Sequence, residues 1–261
     1  GIGNQVDMIK YDLSGFETSN VTSMKGMFAG FAEYTKNLEL DLSMFDTSNV
    51  KDMSFMFWEA AYFSETINLD LSNFDTSNVT DMSSMFLLFG YNSKELNLDI
   101  YDFDTSNVEN MTRMFGYFRY NSPVEVTIDY FKNWDTSSVK KMTGMFNYGL
   151  FGIFYDYPNK TIIDLTGLDT QNVEYFDDMF LGNSRVKTII GLDDFDTSSA
   201  INMDYMFVGV GVSDLSGIYY WDTSNLLSAN FMFYLLSQSK NTINPIEELD
   251  LSYNYQIGFE K

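Results

Sequence analysis

The sequence predicts a solenoid, a single elongated domain in which similar units are stacked on one another. Three observations predict it: a recurring phrase, a strand-like pattern before each copy, and an apolar pattern after it. The phrase is Asp-Thr-Ser-Asn-Val followed by Met-x-x-Met-Phe, and it recurs with variations at intervals of 26 to 34 residues. A regular period in this range is typical of stacked supersecondary units. The copies begin at Glu17, Asp46, Asp75, Asp104, Asp135, Asp169, Asp196 and Asp222.

A β-strand is predicted before most copies of the phrase. In the second unit, Leu38, Leu40 and Leu42 alternate with Glu39 and Asp41. This period of two predicts a half-buried strand with its leucines inward and its acids outward. Equivalent strands are predicted over residues 9–13, 67–71, 96–100, 124–128, 163–165 and 249–251.

A short helix is predicted after each copy of the phrase. Counting its Asp as position zero, Val stands at position 4, Met at 7 and 10, and Phe at 11. On a helix these side chains form one buried stripe, and the Thr-Ser-Asn residues before them are typical of turns and helix starts. The alternative is a brief second strand or arc at Val-x-x-Met, with a single helical turn around Met-Phe. Residues 1–261 are therefore predicted to form one α/β solenoid domain, with repeats from about residue 9 to 251.

Composition limits the classes of partner. The formal net charge is −22 and no basic patch is visible, so neither nucleic acid nor an anionic membrane surface is an expected partner. The chain contains no histidine and no cysteine, which removes the commonest general base and the thiolate metal ligands. No apolar run is long enough for membrane insertion. The start, Gly-Ile-Gly-Asn, is interpreted as the start of a fragment of a larger secreted protein.

Catalysis is not expected from this sequence. Carboxylate pairs abound, so a glycosidase-like pair stays open on residue type alone. The repeat itself explains these acids, however, and no nucleophile elbow, phosphate loop or metal motif occurs. No cofactor is expected. Calcium is the one ion to consider, because it prefers clustered carboxylates, but neither an EF-hand loop nor a calcium-binding nonapeptide is present.

The repeat resembles a known family. Residues 69–86 read LDLSNFDTSNVTDMSSMF, which is similar to the BspA-like leucine-rich repeats of bacterial surface proteins, in the variant first catalogued as a mycoplasma repeat of unknown function. The resemblance implies a leucine-rich-repeat-like, right-handed stack of about eight units, each a short parallel β-strand plus a short helix. It also implies extracellular display on a wall-anchored protein of a Gram-positive bacterium such as Lactobacillus, and adhesion to host or neighbouring cells.

The units depart from the family pattern after Met-Phe, where several extra residues lengthen the period. Many of these residues are aromatic, and exposed Trp and Tyr rings can stack on sugar rings. The alternative is that they cover the side of the solenoid opposite the strands. Tyr62, Tyr91, Tyr120 and Tyr155 are expected to be exposed, since each hydroxyl needs a partner. The predicted ligand-binding residues of these aromatic loops are Trp58, Tyr62, Tyr91, Tyr117, Tyr120 and Tyr155.

The outward face of the strands is the second candidate surface. Paired parallel strands would set its aspartates about 4.8 Å apart, where two charges repel by ~1 kcal/mol in water. This repulsion predicts raised carboxylate pKa values, and a face that repels partners at neutral pH but binds them below about pH 5. The alternative is a solvated face whose acids are hydrogen-bonded by Ser, Thr and Asn. The predicted ligand-binding residues here are Glu39, Asp41, Asn68, Asp70, Asn97, Asp99 and Asp129.

Two functions follow as hypotheses. The first is a cell-surface adhesin domain that binds glycans or host surface glycoproteins on mucus, epithelium or neighbouring bacteria and promotes aggregation through self-association, best at acidic pH. The second is a structural spacer or homotypic protein–protein module without a glycan site.

Overall fold

The computed structural model describes residues 6–8, 13, 15–148, 161–212 and 214–234. This part of the chain forms a parallel β-solenoid. β1 to β4 pair in chain order in one parallel sheet, and β5 to β7 pair in chain order in a second one. The strands are β1 Val6–Met8, β2 Thr35–Leu40, β3 Thr66–Asp70, β4 Glu95–Asp99, β5 Val126–Ile128, β6 Thr161–Asp164 and β7 Val186–Ile190.

The strands form where apolar and polar residues alternate. In β3, Ile67 and Leu69 are fully buried, whereas Asn68 between them is exposed. Glu39 pairs with Asn68, which pairs in turn with Asn97, so equivalent residues of successive coils lie side by side. The predicted parallel stacking of strands is confirmed.

Some strand boundaries differ from the prediction. The first described strand is Val6–Met8, while residues 9–12 and 249–251 lie outside the described residues. Val124 is 40% exposed, so the fifth strand begins only at Val126. β7 was not predicted, because its sequence Val-Lys-Thr-Ile-Ile does not alternate.

The polar residues of the phrase bond one coil to the next. Thr76 Oγ1 donates to the main-chain oxygen of Asp104 at 3.0 Å, and Asn107 Nδ2 donates to that of Ser77 at 2.7 Å. Asp75 Oδ1 accepts the Ser77 N–H at 3.0 Å within its own coil. Buried hydroxyls need such partners, and the phrase threonines of the first seven copies are buried, whereas Thr223 of the last copy is half-buried. The buried threonines are Thr18, Thr47, Thr76, Thr105, Thr136, Thr170 and Thr197.

The predicted short helix does not form. In the third coil the Met85 N–H donates to the Met82 oxygen at 3.2 Å, and the Leu87 N–H to the Ser84 oxygen at 3.2 Å. The Ser84 N–H between them donates to Thr112 of the next coil at 2.8 Å. An α-helix uses each N–H for a bond four residues back within one segment. Because every second N–H here bonds the adjacent coil, the segment is a series of tight turns.

The prediction of about eight strand-plus-helix units is therefore wrong, and the solenoid consists of strands and turns. Helical structure in the described ranges is limited to short 3-10 helices at Tyr130–Asn133, Leu192–Asp194 and Ser216–Tyr220. The alternative prediction, a brief second strand or arc at Val-x-x-Met, is closer to the structure. The residue at position 6 of each copy, between this Val and Met, forms an isolated parallel bridge to an adjacent coil. The bridged residues are Ser23, Asp52, Asp81, Asn110, Lys141, Tyr175, Asn202 and Ser228.

The ninth position of each copy lies in the left-handed region of backbone conformation, with φ between 54° and 63°. Only two of these residues are glycine. A non-glycine residue costs roughly 1–2 kcal/mol in this conformation, because its Cβ crowds the following carbonyl oxygen. The residues are Gly26, Phe55, Ser84, Arg113, Gly144, Asp178, Tyr205 and Phe231.

Arg113→Gly is expected to raise the free energy of unfolding by up to about 1 kcal/mol, because glycine relieves this strain at an exposed site. Urea denaturation followed by circular dichroism measures the change. Lys51→Gly is the control: Lys51 is also exposed but has no positive φ, so glycine there should destabilise the fold. Equal destabilisation by both substitutions would contradict the strain argument.

The core contains a continuous stack of phenylalanine rings. Neighbouring rings are 5.4–6.1 Å apart between centroids and within 14° of parallel. The Val and Met residues of the pattern are buried beside it in the central coils, so the predicted core role of this stripe is confirmed. The stack consists of Phe28, Phe57, Phe86, Phe115, Phe146, Phe180, Phe207 and Phe233.

Candidate functional site

The predicted polar surface lies on the outward side of β2, β3 and β4, and we call it the strand face. Asp70 stands directly beside Asp99 in the paired strands, and Asn97 Nδ2 donates to Asn68 Oδ1 at 2.7 Å. Glu39 belongs to the same column as these two asparagines. The structure therefore brings the predicted residues together in two columns. Glu39, Asp41, Asn68, Asp70 and Asn97 are exposed, and Asp99 and Asp129 are half-buried.

The outward aspartates of successive coils form one of these columns, which we call the aspartate column. For two of its members, Asp41 and Asp70, hydrogen bonds from serine have a larger effect on the pKa than repulsion between carboxylates. Asp41 Oδ1 accepts the Ser43 N–H at 3.0 Å, and Asp70 Oδ1 accepts the Ser72 N–H at 2.9 Å and its hydroxyl at 2.6 Å. These bonds, the hydroxyl first, lower the pKa of Asp41 and of Asp70. Repulsion from Asp41 raises the pKa of Asp70, but it is the smallest of the causes.

The prediction of raised pKa values is therefore wrong for Asp41 and Asp70. The serine two residues after each aspartate has a larger effect on its pKa than the carboxylate of the neighbouring coil. The alternative in which serines hydrogen-bond the acids describes these two positions.

Tyr101 is a candidate site residue that the sequence pattern alone did not indicate. It stands three residues before the phrase, where earlier coils carry Ser43 and Ser72. The Tyr101 side chain is 41% exposed, its ring lies 5.1 Å from that of Tyr130, and its hydroxyl donates to Asp129 Oδ1 at 3.3 Å. Partial burial, with the charge of Asp129 next, raises the pKa of Tyr101. The signal that could have found it is the break in the repeat, from Leu-Asp-Leu-Ser to Leu-Asp-Ile-Tyr.

The tyrosines of the aromatic loops pack mainly on one another. The rings of Tyr62 and Tyr91 are 4.5 Å apart and within 5° of parallel, and Tyr91 lies 5.5 Å from Tyr120. Each coil places its aromatic residue beside the equivalent one, so the ring faces cover each other. Tyr120 is only 5% exposed, so the expectation that it is exposed is wrong. Tyr155 lies outside the described residues.

Two other loop residues have different surroundings. Tyr117 is half-buried, with its ring 5.6 Å from that of Tyr120, and burial raises its pKa. Trp58 is 37% exposed and makes an edge contact with Phe55 at 5.9 Å. Among the described residues of the predicted aromatic loops, Trp58 is the most exposed and is the one best placed to meet a ligand.

Metal binding has little geometric support. No group of three or more Asp or Glu residues that could hold an ion occurs in the described part of the chain. Two exposed ion pairs are present there, Lys94–Glu65 at 2.8 Å and Lys140–Glu109 at 2.9 Å. Calcium binding remains a prediction.

Comparison with known proteins identifies the repeat. Residues 4–86, 40–149 and 148–253 match the family described as Mycoplasma protein of unknown function, DUF285. The chain belongs to the DUF285 family. The predicted resemblance to the mycoplasma-type, BspA-like repeat is thus confirmed, and membership suggests a surface repeat protein. Neither a curated protein nor a solved structure matches this DUF285 chain.

One further finding concerns membranes. Among the residues that the structure describes, no helix is long and apolar enough to cross a bilayer.

Proposed function

We propose that this DUF285 domain is displayed on the bacterial cell surface and acts as an adhesin domain that binds neutral carbohydrate. The ligand would lie on the strand face, on mucus, epithelium or a neighbouring bacterium, and the role is binding without catalysis. The observation that carries the proposal is Tyr101, an exposed ring inserted into the acid-lined face at the position where the two preceding coils carry Ser43 and Ser72.

The surroundings of Tyr101 suit a sugar ring. An aromatic ring offers a flat apolar surface, and carboxylates beside it can accept hydrogen bonds from sugar hydroxyls. Asp99 and Asp129 are both close enough to affect the Tyr101 hydroxyl electrostatically. Because equivalent positions recur at the strand spacing of about 4.8 Å, successive sugar units can contact successive coils.

The balance of hydrogen-bond donors and acceptors on the strand face favours a neutral ligand that is rich in hydrogen-bond donors. The Asn97 amide nitrogen already donates to Asn68, and the serines beside Asp41 and Asp70 already donate to those carboxylates. The carboxylates of Glu39, Asp41 and Asp70 can only accept. Acceptors therefore outnumber the remaining amide N–H donors of Asn68 and Asn97 on this face. Hydroxyls satisfy acceptors, whereas a sulfated or sialylated glycan would also be repelled by a net charge of −22.

We also propose that binding or self-association is stronger at acidic pH, but at a lower pH than the sequence predicts. The lowered pKa values of Asp41 and Asp70 keep these carboxylates charged at pH values where an ordinary aspartate, with a pKa of about 3.9, begins to protonate. Any gain in binding or self-association from their protonation is therefore expected below about pH 4, and not at pH 5.

Tyr101→Ser is the sharpest test, because it restores the residue that earlier coils carry. On an array of neutral and acidic glycans at pH 7, the wild-type domain is expected to bind neutral glycans. Loss of one stacking ring should weaken that binding about tenfold. Thermal unfolding followed by circular dichroism should be unchanged, since the side chain is 41% exposed.

The control is Tyr34→Ser, which removes a ring of similar exposure before β2 and should leave binding intact. A domain that binds no glycan at pH 7 or pH 4, yet scatters light strongly on acidification, would overturn the proposal. That result would favour a homotypic module or spacer instead.

A further inference from the structure

The column of aspartates on the strand side is interrupted near the end of the described chain. Gly191 and Gly217 occupy the position, five residues before the phrase, where most earlier coils carry aspartate. Gly191 has a φ of 88°, and a Cβ on Gly217 would lie 2.9 Å from the main-chain nitrogen of Asp193. The close approach of two 3-10 helices therefore requires glycine here. As a result, no side chain projects from either position.

A groove of about 870 Å³ lies at this interruption. Its volume is in the range of sites that hold small ligands. Unlike the acceptor-rich strand face, it combines a donor, carboxylate acceptors and apolar walls. Its principal lining residues are Lys187, Ile190, Asp193, Asp214, Tyr219 and Tyr220.

Two tyrosines form an aromatic corner in the groove. Tyr219 is 50% exposed and Tyr220 is 85% exposed, with ring centroids 5.1 Å apart and planes at 79°. Tyr219 stands three residues before Asp222, as Tyr101 stands three residues before Asp104. Rings this exposed contribute little to the core, so a structural role does not account for the pair.

Polar groups complete the lining. Lys187 Nζ donates to the Ser184 oxygen at 3.0 Å, and an ammonium group has two further hydrogens to donate. Asp214 Oδ1 accepts the Ser216 N–H at 2.7 Å, and this bond lowers the pKa of Asp214, so that its carboxylate is charged at neutral pH. Sugar hydroxyls both donate and accept, and can therefore bond the ammonium group and the carboxylates together.

We infer that this groove is a second carbohydrate site, which takes the terminal pyranose unit of a neutral glycan against Tyr219 and Tyr220. The ligand class rests on the proposed function, whereas the place and the residues do not. The site lies in the coils of the second sheet, separate from Tyr101 and the acid-lined strand face.

The test uses the full chain and isothermal titration with soluble hexasaccharides of glucose and of N-acetylglucosamine. The double variant Tyr219→Ala/Tyr220→Ala is expected to lower the affinity about tenfold or more for the better hexasaccharide. Lys187→Met should weaken binding by a smaller factor. Tyr234→Ala, which removes a 56% exposed ring that does not line the groove, should have no effect.

The outcomes separate the two proposals. Unchanged affinity in the double variant, with Tyr101→Ser still weakening binding, would overturn the groove site and leave the proposed function standing. Loss of affinity only in the double variant would support the groove and remove Tyr101 from the binding surface. Absence of binding by the wild-type chain to both hexasaccharides would overturn the groove site, and the glycan array then decides the proposed function separately. Circular dichroism establishes that each variant is folded.

Discussion

Replacing Phe115 with alanine should lower the free energy of unfolding by about 3–5 kcal/mol, the range for a large aromatic residue truncated in a core. Phe115 is fully buried between Phe86 at 5.8 Å and Phe146 at 6.1 Å. Its ring also contacts those of Phe131 and Trp134. Neighbouring coils are held by hydrogen bonds on every side, so they cannot close the cavity readily. Urea denaturation monitored by circular dichroism measures the loss.

The end of the stack supplies the matched control for Phe115. Phe233 is partly buried and stacks on Phe207 at 5.9 Å, so Phe233→Ala should cost clearly less. In a solenoid each unit contacts its neighbours, and an interior defect can also separate the unfolding of the two flanks. Equal losses for the interior and terminal substitutions would mean that the ring stack is not the continuous element that holds the coils together.

Most of the strands were predictable from the sequence, whereas β7 and the turns were not. Apolar and polar residues alternate in Leu38-Glu39-Leu40, and this pattern predicts a half-buried strand, which the chain adopts. The spacing of Val, Met and Phe is compatible with a helix. The series of tight turns that forms instead depends on the backbone conformation of single residues. The deciding residues are in the left-handed region at Phe55, Ser84 and Asp178, and these residue types give no sign of it, since glycine is the usual marker.

The place of the strand face was predictable from the sequence, but the pKa values of its carboxylates were not. Placing Asp70 beside Asp99 needed only the repeat and parallel pairing. The pKa of Asp70 depends on a hydrogen bond from Ser72 within one turn. The spacing of residues in the sequence does not predict the geometry of that bond. Tyr101 directly follows a strand, so the aromatic pattern of the loops after Met-Phe does not point to it. Tyr120 was expected to be exposed because its hydroxyl needs a partner, yet a buried tyrosine also finds partners.

Arg185 joins coils that are not adjacent. Its side chain is 3% exposed, and its guanidinium donates to the main-chain oxygens of Tyr120 and Ser122, the latter at 3.0 Å. Arg185 precedes β7 and its acceptors precede β5, so the side chain passes β6 in the sheet order. Two strand spacings amount to roughly 10 Å, which a long side chain can bridge in part while the main chain supplies the rest.

Arg185→Met is therefore expected to lower the free energy of unfolding by about 2–4 kcal/mol, because two buried carbonyl oxygens lose their donors. Methionine keeps most of the apolar stem, so the loss reports the hydrogen bonds and not a cavity. Arg185→Lys should give an intermediate loss, since an ammonium group lacks the planar fork that reaches both oxygens. Arg113→Met, which removes an exposed guanidinium, should change stability by less than about 0.5 kcal/mol. If Arg185→Met is as harmless as this control in urea denaturation, the guanidinium does not hold β5 and β7 together, and strand pairing through β6 and packing must do so.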